Sequence, residues 1–381
     1  MTFREVASMD TLEIHSRGDR AWGDALTTAL RFSGRVERWT HGFHAYPAGL
    51  HPDAAAVLLD MAHPESTLFD PFCGGGTVLV EGRVRGLTTF GSDLSPTALR
   101  VAGARTMTAS DDVLARARAA ARQRAEDARR QRGFGSARLE VVRSWYEPHV
   151  LGELESIYEG VREEPGAAGR ILRAAFSSIV VKASLRESET RARRSEARRP
   201  VGTTAVLFHK KVRELARQIA SLRAVVPEGT PKTRLSLEDA RLIACPVLVD
   251  AVITSPPYPA TYDYLPLQHL RSVWFADRPR KEDEIGPRRS WKEAPGDALK
   301  TWVAQTSAWV SNVSTQIRPG GHLVVVVGDG FAADKRIDAL VVHREAAAQL
   351  GLEEVAFASA LRSDSAFETR REHALVWRTR R

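Results

Sequence analysis

At 381 residues the chain has room for two or three domains of roughly 150 residues each, or for one elaborated domain, and its 43% apolar and 27% charged residues fit a globular protein with a sizeable core. Lys and Arg outnumber Asp and Glu by 55 to 47, a formal +8 that suits a polyanionic partner. Two cysteines outside any zinc or disulfide spacing, a polar N-terminus and no apolar stretch near the ~18 residues of a membrane span exclude the disulfide-rich, secreted and membrane classes and predict a cytoplasmic protein.

In chain order, residues 1–40 read as a leader. A helical pattern follows at 52–62, a short apolar strand at 66–69, a helix at 78–85, a second strand at 88–91 and a helix at 96–107. From 109 to 231 the rhythm breaks. There, 111–132 is mostly Ala, Arg, Gln and acids, 169–184 and 206–225 carry apolar positions at helical spacing, and 186–199 reads as a loop or fraying helix. Strands resume at 233–237, 247–254 and 322–327, with helices at 297–317 and 335–350 and closing strands at 353–358 and 373–378. Pro319-Gly320-Gly321 is expected to stop a helix just before a strand. The alternation predicts an α/β fold whose mostly parallel sheet is covered on both faces. Its core, 41–108 and 232–381, is split by a helical, basic insertion at 109–231.

Two corners carry the chemistry. Asp70-Pro-Phe-Cys-Gly-Gly-Gly-Thr77 follows a strand and opens a helix, so its glycines let the backbone turn tightly and approach a ligand. It lacks the Gly-Lys-Ser/Thr ending of a phosphate loop and the Gly-x-Gly-x-x-Gly of a hydride-transfer site. An acid at such a turn suits an ammonium or sulfonium better than a pyrophosphate. About twenty residues on, Asp93 ends the next strand, where it either accepts from the hydroxyls of a ribose or caps the following helix. The second corner is Thr254-Ser-Pro-Pro-Tyr258. Proline fixes φ and brings no N–H, so Ser255 and the Pro256 carbonyl present rigid acceptors suited to a planar exocyclic amine, and Tyr258 offers a face on which a base stacks. Placing that amine against an activated methyl is chiefly a positioning task.

The pair of motifs resembles motifs I and IV of the amino-methyltransferases, which methylate exocyclic amines of cytosine, adenine or guanine from S-adenosylmethionine. Serine at the first motif IV position is similar to the cytosine-N4 DNA branch, whereas the adenine-N6 branch more often has Asp or Asn. His41-Gly-Phe-His44-Ala-Tyr46-Pro47-Ala-Gly49 resembles motif X, which contacts the methionine end of the cofactor, and Asp239 sits where motif III places an acid near its adenine. The resemblance implies a class I methyltransferase, Rossmann-like fold, with seven strands and the last antiparallel. It implies Asp70, Phe72, Gly74, Gly76, Thr77, Asp93, Asp239, His44, Tyr46 and Pro47 as cofactor residues, with Ser255, Pro256, Pro257 and Tyr258 at the target base. Sulfonium transfer needs no metal.

Further groups stay open. Asp263 and Tyr264 either line a base pocket or cap and pack a helix start, and Arg271 is a candidate phosphate contact. Asp329 and Arg288-Arg289 are weaker candidates. The run Arg186, Arg191, Arg193, Arg194, Arg198 and Arg199, then Lys210 and Lys211, is either a phosphate-binding surface or a solvated face. The sequence-level expectation is base-amine methylation in DNA, with RNA as the alternative and an inactive nucleic-acid-binding scaffold as a further one.

Overall fold

The computed structural model describes residues 14–44, 46, 49–62, 66–130, 135–188, 193–195, 198–332, 335–364 and 367–380. Strand β1 (Ile14–Gly18) leads into helix α1 (Arg20–Arg31), whose first turn is capped by Asp19 accepting from the Trp22 amide at 2.9 Å. Of the segment expected to be a leader, Ile14–Gly18 thus forms an edge strand along β9 and Arg20–Arg31 a helix packed on the sheet. The helix packs there because it is amphipathic, burying Trp22, Leu26, Ala29 and Leu30 on one face.

Helix α2 (Pro52–Ala62), strand β2 (Thr67–Asp70), helix α3 (Thr77–Val84), strand β3 (Thr88–Ser92) and helix α4 (Pro96–Arg105) then alternate. Four longer helices follow, α5 (Asp111–Arg130), α6 (Pro148–Glu163), α7 (Gly166–Ala183) and α8 (Thr203–Arg223). Strands β4 (Arg234–Ser236) and β5 (Val249–Thr254) return to the sheet, followed by short helices α9 (Tyr264–Leu267), α10 (His269–Phe275) and α11 (Arg288–Glu293). Helix α12 (Pro295–Ser314) precedes strand β6 (Ile317–Gly328) and a small hairpin of β7 (Gly330–Ala332) and β8 (Lys335–Ile337). Helix α13 (Ala339–Gln349) and strands β9 (Glu353–Asp364) and β10 (Phe367–Arg378) end the fold.

The sheet order is β1-β9-β10-β6-β5-β2-β3-β4. Strands β4, β3, β2, β5 and β6 are parallel, while β10 runs antiparallel to both β6 and β9. These are the seven strands expected, with β1 added antiparallel along β9 as an eighth. Alternate residues feed opposite layers, as the two-residue strand period requires. Ala251, Ile253, Val324 and Val326 pack under α1 and α2, whereas Val252, Val325, Val327 and Trp377 pack under Trp302 and Trp309 of α12. Helices α5 to α8 share a separate core that includes Leu154, Phe176 and Phe208 and takes in Trp274 of α10. Ala117, Ala121, Ala125 and Ala128 keep the buried face of α5 thin there. No helix among the described residues is long and apolar enough to cross a membrane.

Two local expectations are corrected. Pro319-Gly320-Gly321 lies inside β6, not ahead of it, because the pairing with β5 jumps from Val249↔Ile317 to Ala251↔His322 and the extra residues bulge out. A side chain at Gly321 would stand 2.5 Å from the Asp250 carbonyl oxygen, so only glycine fits the bulge. The helix expected over 335–350 is divided, since Asp338 caps α13 through the Val341 amide at 3.1 Å and leaves β8 outside it.

Asp250 fastens the start of β5 to the start of β2. Its Oδ2 accepts from the Ser66 and Thr67 amides, each at 2.7 Å, and its Oδ1 from Arg318 at 2.5 Å. Burial pushes this carboxyl up, but the Ser66 and Thr67 amides outweigh it and hold it below the usual range. The resulting stability is present at neutral pH and is lost in acid as the group protonates. Asp250→Ala is expected to lower unfolding free energy by about 1–2 kcal/mol at pH 7, read by urea denaturation, because the Thr67 amide loses its acceptor while the exposed Ser66 amide and Arg318 turn to water.

Candidate active site

The strand order reverses between β2 and β5, and ligands in open α/β sheets bind at the carboxyl ends of strands at such a point. A cleft of about 860 Å3 opens there. Asp70 ends β2 on its floor, and Oδ1 accepts from the Thr254 hydroxyl at 2.6 Å and the Phe72 amide at 3.2 Å. Its Oδ2 has no partner among the described residues. Burial lifts the Asp70 carboxyl to about 7 against those two donors. Asp93, past the end of β3, accepts from the Gly74 amide at 3.0 Å and the Ser95 amide at 2.8 Å, and burial lifts it to about 6. Asp93 thus braces the glycine turn and the Ser95 amide while lining the cleft, and the cap of the next helix is Ser95 itself, whose hydroxyl accepts from the Ala98 amide at 3.2 Å.

Phe72, Gly74, Thr77, His44 and Tyr46 also line the cleft. Phe72 stands edge-on to Trp309 at 5.3 Å, and the Tyr46 ring lies against Gly74, where an added Cβ would be 3.3 Å away. His44 is buried and its Nε2 meets the Ser177 hydroxyl of α7 at 3.1 Å. Gly76 does not join the lining among the described residues. It is the N-cap of α3 at φ +77°, and a Cβ would come within 2.9 Å of Ala102, so its role is the turn and the α3–α4 packing. Asp239 reaches the cleft but is already held by Arg241, whose Nε lies 2.9 and 3.0 Å from its two oxygens. Pro47 falls outside the described residues.

Ser255, Pro256, Pro257 and Tyr258 continue from β5 into the same cleft. The Tyr258 hydroxyl donates to Glu372 Oε1 at 2.7 Å, and Glu372 Oε2 pairs with Arg362 at 2.5 Å. Its ring lies on Gly328, where a Cβ would stand 2.6 Å from it. Burial first, then Glu372, push its phenol well above the ordinary range, so it stays protonated. Glu372 and Arg362 escape a sequence reading because they lie over a hundred residues away, on the closing hairpin. Tyr264 lines the cleft beside Tyr262.

Other candidates move elsewhere. Asp263 does not line the cleft; it accepts from the Arg289 amide at 3.0 Å and guanidinium at 3.2 Å. Arg271 is fully buried, donating to the Ser177 carbonyl at 2.9 Å and to Gln268 at 2.7 Å, so it braces α10 on α7 away from the surface. Asp329 is buried off the cleft between the Ala339 amide and His373. In the basic run Arg193, Arg194 and Arg198 are exposed and Arg199 is half-buried. Arg186 is folded inward onto the Leu267 carbonyl and Lys211 onto Glu214 at 2.6 Å, because both sit on faces that pack; Arg191 lies outside the described residues.

Residues 39–137, which hold the glycine turn, match a family described as RMKL-like, methyltransferase domain. Over that segment the chain is similar to methyltransferase domains, and the fold that carries the segment is an α/β one with a mostly parallel sheet. Over 82 residues it is 38% identical to the Type II methyltransferase M.MvaI of Kocuria varians, which covers 20% of this chain and 18% of that one. TrmN from Thermus thermophilus aligns at 11% identity over 86% of this chain and 48% of its own, with a TM-score of 0.35. The rRNA methyltransferase aviRa from Streptomyces viridochromogenes aligns at 12% identity over 90% of each chain, also at 0.35. The chain therefore spans 18% of the curated relative's length and about half of TrmN's.

The donor set fits S-adenosylmethionine. Among the described residues neither the buried Asp70 nor the half-buried Asp93 has a cation in ion-pair contact, and a sulfonium, an ammonium and ribose hydroxyls are the groups that would relieve them. The raised values fix the sign of a pH effect. In the free protein the ionised forms are disfavoured below about 7 and 6, while ligand donors favour ionisation. Affinity for S-adenosylhomocysteine, followed by calorimetry, is expected to rise about tenfold or more from pH 5 to pH 7. Asp93→Asn is expected to weaken binding and flatten that slope.

Proposed function

We propose that the chain transfers a methyl group from S-adenosylmethionine to an exocyclic amine of a nucleic-acid base, cytosine N4 or adenine N6 in DNA. The observation that carries this reading is the shared cleft: the Ser-Pro-Pro-Tyr corner opens beside the glycine turn, and the Thr254–Asp70 hydrogen bond joins them at 2.6 Å. The cofactor supplies an electrophilic methyl. Ser255 and the Pro256 carbonyl would accept from the amine's protons and aim its nitrogen; as the N–C bond forms, the bond from sulfur to the methyl would break to leave a thioether, and the amine's proton would pass to solvent. Tyr258, fixed from behind by Glu372, offers its ring to the base. The similarity to a Type II methyltransferase and serine at position 255 support the DNA form of the proposal. Exposed Arg193, Arg194 and Arg198 supply backbone contacts.

Purified DNA and RNA, each incubated with protein and labelled cofactor and then digested to nucleosides, test the reading directly. Labelled N4-methylcytosine or N6-methyladenine from DNA is expected; label confined to an RNA nucleoside transfers the reading to RNA, and label in neither leaves a binding scaffold. In the active pairing, Tyr258→Ala is expected to lower turnover about 10- to 100-fold through lost stacking, with cofactor affinity nearly unchanged. Replacing Arg193, Arg194 and Arg198 together by Gln is expected to reduce the log–log salt slope of nucleic-acid binding by about 2–3.

A further inference from the structure

Arg105, the last residue of α4, is 5% exposed and lines the cleft behind the glycine turn. Its Nε donates to the Thr40 carbonyl at 3.2 Å and its Nη2 to the His41 carbonyl at 3.1 Å. Nη2 also meets His41 Nδ1 at 3.2 Å, which leaves the His41 Nε2 proton for Glu81 at 2.9 Å. Three contacts thus fix the guanidinium, all to uncharged acceptors. Nη1 makes no hydrogen bond among the described residues.

No carboxylate among the described residues lies within ion-pair reach of Arg105. The nearby buried acid, Glu81, is taken up by Arg38, His41 and Arg85. A buried cation without a counterion is costly, and burial lowers this guanidinium to about 10, still fully charged at neutral pH. Gly75 explains how the charge reaches the cleft. A Cβ at 75 would stand 2.6 Å from Nη1, so the glycine lets the guanidinium come up against the turn that carries the cofactor residues. The positive end of α3 adds to the same field.

We propose that Arg105 holds the α-carboxylate of the cofactor's methionine moiety, Nη1 donating to it while Thr40 and His41 keep the guanidinium aimed. The assignment rests on the S-adenosylmethionine reading of the cleft and orders the ligand within it. The acids at 70 and 93 take the sulfonium, ammonium and ribose groups, and Arg105 takes the anionic end. Resemblance to motif X draws attention to 41–49 and not to α4, where Arg105 reads as an ordinary helix-terminal cation.

Calorimetry of the full chain with S-adenosylhomocysteine, its decarboxylated analogue and 5′-methylthioadenosine tests this without any turnover. The wild-type protein is expected to bind S-adenosylhomocysteine about 10- to 100-fold more tightly than the decarboxylated analogue, the usual range for a charge-assisted hydrogen bond. In Arg105→Met that gap is expected to close through loss of S-adenosylhomocysteine affinity alone, with 5′-methylthioadenosine unaffected. Equal wild-type affinity for the first two ligands overturns the assignment, and so does a gap that survives in the variant. The wild-type arm decides even where Arg105→Met fails to fold. Wild-type protein that binds none of the three overturns the cofactor reading, and the assignment with it.

Discussion

The hydrogen bond from Thr254 to Asp70 joins residues 184 positions apart, and the geometry of the cleft depends on it. It exists because β5 lies beside β2, pairing Phe69 with Val252, although β3 follows β2 in the chain. That adjacency brings a glycine turn and a proline corner to one edge of the sheet. Neither corner has means to find the other locally: four residues of β2 and six of β5 are too short to be stable alone. Their register comes from the hydrophobic layers on both faces, with Asp250 tying the opposite ends of the same two strands.

The charges around the cleft divide into two kinds. Glu81 with Arg38 and Arg85, Asp239 with Arg241, and Glu372 with Arg362 are paired, so their burial is offset inside the protein. Asp70 and Asp93 have no such partner among the described residues, and burial accordingly lifts their carboxyls to about 7 and about 6. Unpaired buried charge lowers stability and persists where a ligand supplies the missing partner. The distinction also bears on Asp239: Arg241 occupies both of its oxygens, leaving it less capacity to accept from an adenine amine than an unpaired acid would have.

Much of this was legible in the sequence because it is local. Strand ends, glycine turns and prolines act within a few residues, so the α/β alternation and both corners can be located from the chain alone. What was not legible depends on distant packing. The polar segment at 14–18 becomes a strand only because β9 offers it an edge. Arg271 looks like a surface cation until Ser177 and Gln268 enclose it, and Arg186 and Lys211 likewise turn inward from an otherwise exposed run. The role of Glu372 in fixing Tyr258 depends on β10 pairing with β6, which no local pattern encodes.

Helices α5 to α8 bear on the surroundings of the cleft through Ser177 of α7. The Ser177 hydroxyl meets His44, which lies against the cleft ahead of α2, and its carbonyl accepts from Arg271 on α10, beyond the proline corner. Ser177 is itself fully buried in α7. One turn of one helix therefore braces the approaches to both corners, and Lys182, a turn and a half further along, lines the cleft mouth. A shift of these helices on a bound polyanion would bear on both walls of the cleft at once, because packed side chains with few voids transmit displacement instead of absorbing it.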